Sequence, residues 1–198
     1  MLRAWTGILL VAFAASALAA DIEKTVTLDS DEVELLNLIG QVTVAPASGS
    51  TFEAVIHVRG RDAEPGLIEI VADNGREGRI LIKFPVDEHR DYVYPALGNS
   101  RSTVTLDDSG EDGGWFHQLV KGLACKRIDV RGKGKGLEVW ADVELKVPRD
   151  HSARVEVKVG GIASARVKAD LVLDTGSGAI EVDGHEGSLV CDTGSGSV

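Results

Sequence analysis

Apolar residues recur every nine positions through the last fifth of this 198-residue chain, at Ile162, Leu171, Ile180, Leu189 and Val198, with companions at Val155, Leu173, Val182 and Cys191. A fixed period of this kind marks a repeat architecture in which each unit buries its apolar face against the next. Two nonapeptides form an 18-residue unit, and the near copies Asp174-Thr175-Gly176-Ser177-Gly178 and Asp192-Thr193-Gly194-Ser195-Gly196 lie one unit apart. Each nonapeptide then supplies a short strand and a glycine-bearing bend. Each unit makes one flattened coil of a β-solenoid built from nine-residue half-coils. Stacked strands lie about 4.8 Å apart, so Leu171 over Leu189, and Ile162, Ile180 and Val198 in turn, are expected to form inner ladders. Val172 and Val190 face the other way, against Ala163 and Glu181 on the alternate strand, so one outer face is expected to be more apolar than the other.

Upstream, the chain reads as half-buried strands with a period of two. Phe52, Ala54, Ile56 and Val58 alternate with their neighbours, and Ile68, Ile70 and Ala72 face Ile80, Ile82 and Phe84 across the turn Asp73-Asn74-Gly75. Ala141, Val143, Leu145 and Val147 line one face of a strand that Pro148 closes. That strand is expected to pair with residues 128–130 through a turn at residues 132–136. Between them, residues 89–123 form a long excursion rich in Asp, Gly and Ser, with a short helix expected over residues 115–123. The expected fold is all-β: an antiparallel N-terminal region (20–152) continuing near His151 into the solenoid repeats (153–198). The repeats stop at Val198, at the start of what would be another strand, so a longer repeat protein is expected. Twenty-three glycines against five prolines suit many short strands joined by tight turns.

The first 19 residues read as a signal peptide. Arg3 gives a positive start, residues 7–15 an apolar run, and Ala17-Leu18-Ala19 a small-x-small cleavage site. Cleavage before Ala20 removes Arg3 and shifts the formal net charge from −10 to −11. The mature chain is expected to be exported, periplasmic or at the cell surface, without a later apolar run of the ~20 residues that a membrane span needs. An acidic excess of 31 against 21 basic residues, with no compact basic stripe, argues against nucleic acid as a partner.

The order of signal, an early strand over residues 33–44, a long alternating strand ending in Val147-Pro148-Arg149, and then T-G-S-G-x-[IV] repeats resembles the bacterial DUF4097 proteins, β-strand-repeat proteins that often carry an adhesin label. The resemblance implies a scaffold and transfers no catalytic residues. Related Toast-rack-type domains occur in envelope-stress membrane proteins, so it also implies, as an alternative, a sensing or regulatory domain acting with a membrane partner. The excursion at residues 89–123 departs from the repeat pattern.

The rival chemical reading is an aspartic protease, because Leu171-Val172-Leu173-Asp174-Thr175-Gly176-Ser177 resembles the apolar-Asp-Thr-Gly-Ser loop of pepsin-like enzymes and a second copy follows. Those enzymes need two carboxylates that share a proton, each set in its own lobe or subunit, and 18 residues cannot build a lobe. Stacking instead sets Asp174 beside Asp192, each expected to bond the backbone of its own turn. Calcium-binding β-rolls use G-G-x-G-x-D, with Asp after the glycines. Here Asp174, Asp183 and Asp192 precede the bends. His57, His89, His117, His151 and His185 lack ligand spacing for zinc, and Asp108-Ser109-Gly110 lacks a partner base. Gly132-Lys133-Gly134-Lys135-Gly136 lacks the helix and spacing of a phosphate-binding loop and is expected to be a flexible basic hairpin tip.

Cys191 takes the ladder position of Leu173 and reads as a small hydrophobe. Its pairing with Cys125 would need the repeats to fold back on the N-terminal region. Trp115 and Phe116 are expected to anchor the excursion to the core.

The expected function is therefore an exported, non-catalytic repeat scaffold, without cofactor or metal. Its expected partner is an unidentified envelope protein or surface component. The residues that carry this reading are structural repeat positions: Ile162, Leu171, Leu173, Asp174, Gly176, Gly178, Ile180, Val182, Leu189, Cys191, Asp192, Gly194 and Gly196.

Overall fold

The computed structural model describes residues 21–106 and 126–198. The signal segment, the expected helix, Trp115, Phe116, His117 and Cys125 lie outside the described residues. Among the described residues all regular structure is strand, apart from a 3-10 turn at Pro95–Leu97. No helix there is long and apolar enough to cross a membrane. The strands form two six-stranded sheets and one of three strands.

In the first sheet, β1 (Ile22–Leu28) runs antiparallel to β4 (Phe52–Arg59), and β4 antiparallel to β10 (Trp140–Val147). From β10 onward the direction is constant: β3 (Val42–Pro46), β12 (Ile162–Ala165) and β14 (Ile180–Asp183) follow in parallel. The second sheet repeats this plan. An antiparallel hairpin of β5 (Glu69–Asp73) and β6 (Glu77–Lys83) is followed in parallel by β2 (Glu32–Ile39), β11 (Ser152–Val159), β13 (Asp170–Ser177) and β15 (Leu189–Thr193). The hairpin across Asp73-Asn74-Gly75 is thus formed as the alternation indicates.

Period-two alternation sends one face of each strand inward. Phe52, Ala54, Ile56 and Val58 of β4 and Ala141, Val143, Leu145 and Val147 of β10 are buried, and they meet Val33, Leu35, Val155, Leu171 and Leu173 of the second sheet in one apolar cluster. Each such Leu or Ile contributes ~1.5–3 kcal/mol by leaving water. The only way these rows coincide is through register. Leu171 pairs with Leu189, Val155 with Leu173 and Ile162 with Ile180, each 18 positions apart.

The sheets also continue past His151 in both directions, because β2 and β3 stand beside β11 and β12. Residues 33–44, taken from the sequence as one strand, are two strands in different sheets. The chain turns between them at Gly40, as it does between β11 and β12 at Gly160 and between β13 and β14 at Gly178.

Two expectations are corrected in the region before β10. First, β9 (Lys126–Arg131) does not form a hairpin with β10. It pairs in parallel with β7 (Asp91–Val93) and antiparallel with β8 (Arg101–Leu106) as the third sheet. Alternation marks both β9 and β10 as strands but carries no information on which partner each takes, and β10 is already flanked by β4 and β3. Second, the excursion, to which the sequence assigns no strand, contains two in its described part, β7 at residues 91–93 and β8 at residues 101–106. The third sheet is fastened to the rest by a bridge between Tyr92 and Leu137 and by ring contacts of Tyr94 with Trp140 (5.8 Å) and Phe84 with Tyr92 (5.9 Å).

Candidate functional site

The T-G-S-G motif sits where the chain passes from one sheet to the other, and its threonine and glycines are fixed by that corner. Thr175 is fully buried and its Oγ1 donates to the Gly160 carbonyl of the preceding turn at 2.8 Å; Thr193 repeats the bond to Gly178 at 3.1 Å. Asn37 does the equivalent from β2, its Nδ2 donating to the Ala141 carbonyl at 2.7 Å across the two sheets. Glycine is required because successive turns touch. A Cβ on Gly178 would stand 1.9 Å from the Gly160 oxygen, and one on Gly160 1.8 Å from the Gly40 oxygen. Gly196 repeats this against Gly178, and Gly176 and Gly194 lie close to the carbonyls of Lys158 and Gly176.

The remaining repeat positions divide by depth. Ile162, Leu171, Leu173 and Ile180 are buried, Val182 and Cys191 half-buried, and Leu189 38% exposed at the sheet edge. Burial pushes the Cys191 thiol up from its ordinary range.

Asp174 and Asp192 are Cα partners on neighbouring parallel strands. They face outward from the second sheet, and Asp174 makes no bond to its own turn. The turn bond belongs to the adjacent Thr175, a correction that follows from phase: within β13 the threonine points into the corner and the aspartate away from it. Asp170 uses its carboxylate across to the next repeat, its Oδ1 accepting from Ser188 N, 18 positions on, at 2.7 Å.

Outward side chains of the second sheet line up in rows because parallel strands hold register. One row runs Arg79, Glu34, Arg154, Val172 and Val190 across β6, β2, β11, β13 and β15. The next carries Glu156, Asp174 and Asp192. Burial pushes the Asp174 carboxyl above its ordinary range. Repulsion from Glu156 and Asp192 adds to the shift, while Lys158 and Arg154 oppose it. Lys158 is also ion-paired to Glu156. Glu34 is likewise raised, by burial first, against the pull of Arg154 and Arg79. A shallow cavity of about 200 Å³ lies at the head of these rows, lined by Glu32, Glu34, Glu77, Gly78, Arg79 and Arg154. On the alternate sheet the matching outward pair is Ala163 and Glu181. Val190 is 53% exposed.

The histidines are dispersed. His57 lies 3.4 Å from Asp21, His151 stacks edge-on against Phe52 at 5.6 Å, and His185 contacts the Ser188 carbonyl at 3.1 Å. Among the described residues no three His, Cys, Asp or Glu side chains converge as a metal site would require. Sequence reasoning missed one polar hub, Asp142. It accepts from Arg59 (2.9 Å), Trp140 (3.2 Å) and the Gln41 amide (3.0 Å), so that it ties β4, β10 and the start of β3 together.

No family model matches the chain, and no curated protein does. Among solved structures it is similar to a "putative cell adhesion protein" from Clostridium sporogenes, with a TM-score of 0.42 and 8% identity over 88% of this chain and 68% of that one.

Proposed function

We propose that this protein is an exported, non-catalytic scaffold of the DUF4097 kind, an adhesin-like or envelope protein-interaction module whose parallel strand pairs are coils of a β-solenoid. One observation carries the reading: the motif that most resembles a catalytic loop is taken up by stacking. Thr175 and Gly178 are occupied in the corner, and Asp174 stands on an outward face among charged neighbours. What is left to act is the surface, a set of charged and apolar rows fixed by register.

The test is capture from an envelope fraction with the full mature chain, comparing it with Arg154→Glu and Val172→Asp. Removing residues 153–198 would be the wrong comparison, because β11 and β12 are direct neighbours of β2 and β3. A partner lost in the two surface variants, with unchanged circular dichroism, supports the reading. Cleavage of unfolded protein at acid pH that vanishes in Asp174→Asn would overturn it in favour of a protease. N-terminal sequencing of the protein from its source cell tests export and the cut before Ala20.

A further inference from the structure

The loop Gly132-Lys133-Gly134-Lys135-Gly136 is not a free hairpin tip. Lys133 Nζ bonds Asn99 Oδ1 at 3.2 Å, and the Leu137 amide bonds the Asp91 carbonyl at 2.9 Å. A Cβ on Gly136 (φ +148°) would stand 2.8 Å from that same carbonyl. The loop is therefore packed against β7, and with it forms one wall of an open cavity of about 590 Å³. Sites for small ligands commonly measure about 300–1,000 Å³.

Three cations line this cavity, Arg90, Arg131 and Lys135, in a chain whose net charge is −10. The acids there are largely engaged. Asp91 pairs with Arg131 at 2.7 Å, while Asp62 accepts from the Glu138 amide at 2.8 Å and pairs with Arg61 at 3.3 Å. That leaves Arg90 and Lys135 facing Glu88 alone, neither with an acidic partner among the described residues. The Nε of Arg131 is buried with no acceptor there. The lining is balanced at three acids and three cations, but Arg90 and Lys135 are the cations without an ion-pair partner among the described residues, which suits one anionic group, while the carboxylates of Glu88 and Asp91 and the ring of His89 can accept from hydroxyls.

We propose that this cavity binds an anionic sugar, a polyhydroxylated ligand bearing one carboxylate or phosphate, with Arg90 and Lys135 holding the anion. The proposal does not rest on export or on the role of the repeats.

Titration calorimetry on the full chain, with glucuronate, glucose 6-phosphate, glucose and inorganic phosphate as probes, tests it. The expected result is binding of the two anionic sugars and not of glucose. Affinity should fall about tenfold or more in Arg90→Ala and in Lys135→Gln, the scale of one lost charge-assisted bond, with circular dichroism unchanged. No binding by either anionic sugar, or binding indifferent to both variants, overturns the proposal. Inorganic phosphate binding as tightly as glucose 6-phosphate overturns the sugar assignment. An oligo-uronate binding more tightly than glucuronate would identify a polysaccharide as the source, and equal binding a free sugar.

Discussion

At one end of the paired sheets the last strands, β1 and β5, run antiparallel to their neighbours and are tied to each other's surroundings: Lys24 Nζ reaches the Ile70 carbonyl at 3.2 Å, the Asp29 amide bonds Asn74 Oδ1 at 2.9 Å and Ser30 Oγ bonds the Gly75 carbonyl at 2.8 Å. At the other end β14 and β15 run parallel to theirs, with Leu189 and Val190 exposed. The same inward rows of Val, Ile and Leu feed both ends. What differs is the strand direction and the side chains that cross between sheets. Reversed strands joined by cross-sheet hydrogen bonds finish a stack, whereas parallel strands in an 18-residue register offer their edge in the form that a further strand would match.

This comparison can be broken most severely at the turns. Gly178→Val should cost more than ~3 kcal/mol, as a large clash that only backbone movement can relieve, while Gly49→Ala, with nothing within 4 Å of the added carbon, should be nearly neutral. Urea unfolding of both variants checks the contrast. Next, Leu171→Ala in the interior of the stack should lose ~2–5 kcal/mol, and Leu189→Ala in the same ladder at the edge less than ~1 kcal/mol, since that side chain already meets water. Equal losses would mean that the edge is covered in solution.

Thr175→Val, which keeps the shape and removes the donor to Gly160, should cost ~1–2 kcal/mol. Thr193→Val, in a half-buried position, should cost less.

The smallest effect is electrostatic. Asp174 binds its proton more tightly folded than unfolded, so its contribution to stability falls as pH rises from the ordinary carboxylate range through the raised folded value. Asp174→Asn should therefore flatten the stability profile just above that range and be slightly more stable at neutral pH, read from thermal unfolding at several pH values. A steeper profile in the variant would contradict the assigned sign.

Much of this was legible in the chain. The nine-residue beat put Leu171 opposite Leu189 and Ile162 opposite Ile180, as the strands pair. Period-two runs located β4, β6 and β10. The membership of β2 and β3 in the same stack was not read, because the copy Gly40-Gln41-Val42 is separated from Gly160-Gly161-Ile162 by a long insertion that defeats a search for fixed period. The recurring Gly-x-[Val/Ile] at Gly40, Gly160, Gly178 and Gly196 is the signal that could have found it.

The row Arg79, Glu34 and Arg154 was beyond reach, since three distant segments meet there through parallel register that no local pattern encodes. The turn bond was assigned to Asp, and the part played by Thr was not read, for a related reason. Turn chemistry favours Asp, but which side chain points into the corner depends on the phase of the strand before it.

The insertion between β3 and β11 has a kinetic consequence. The strand pair β2 and β3, early in the chain, has neighbours on one side from the insertion and on the other from residues beyond 150, so its interior contacts close very long loops, the costly events that slow folding. The later strands close loops of only 18 residues. These first-made strands are therefore expected to be the last to become protected against hydrogen exchange during refolding, waiting in the nascent chain for partners that are synthesised only after the whole insertion.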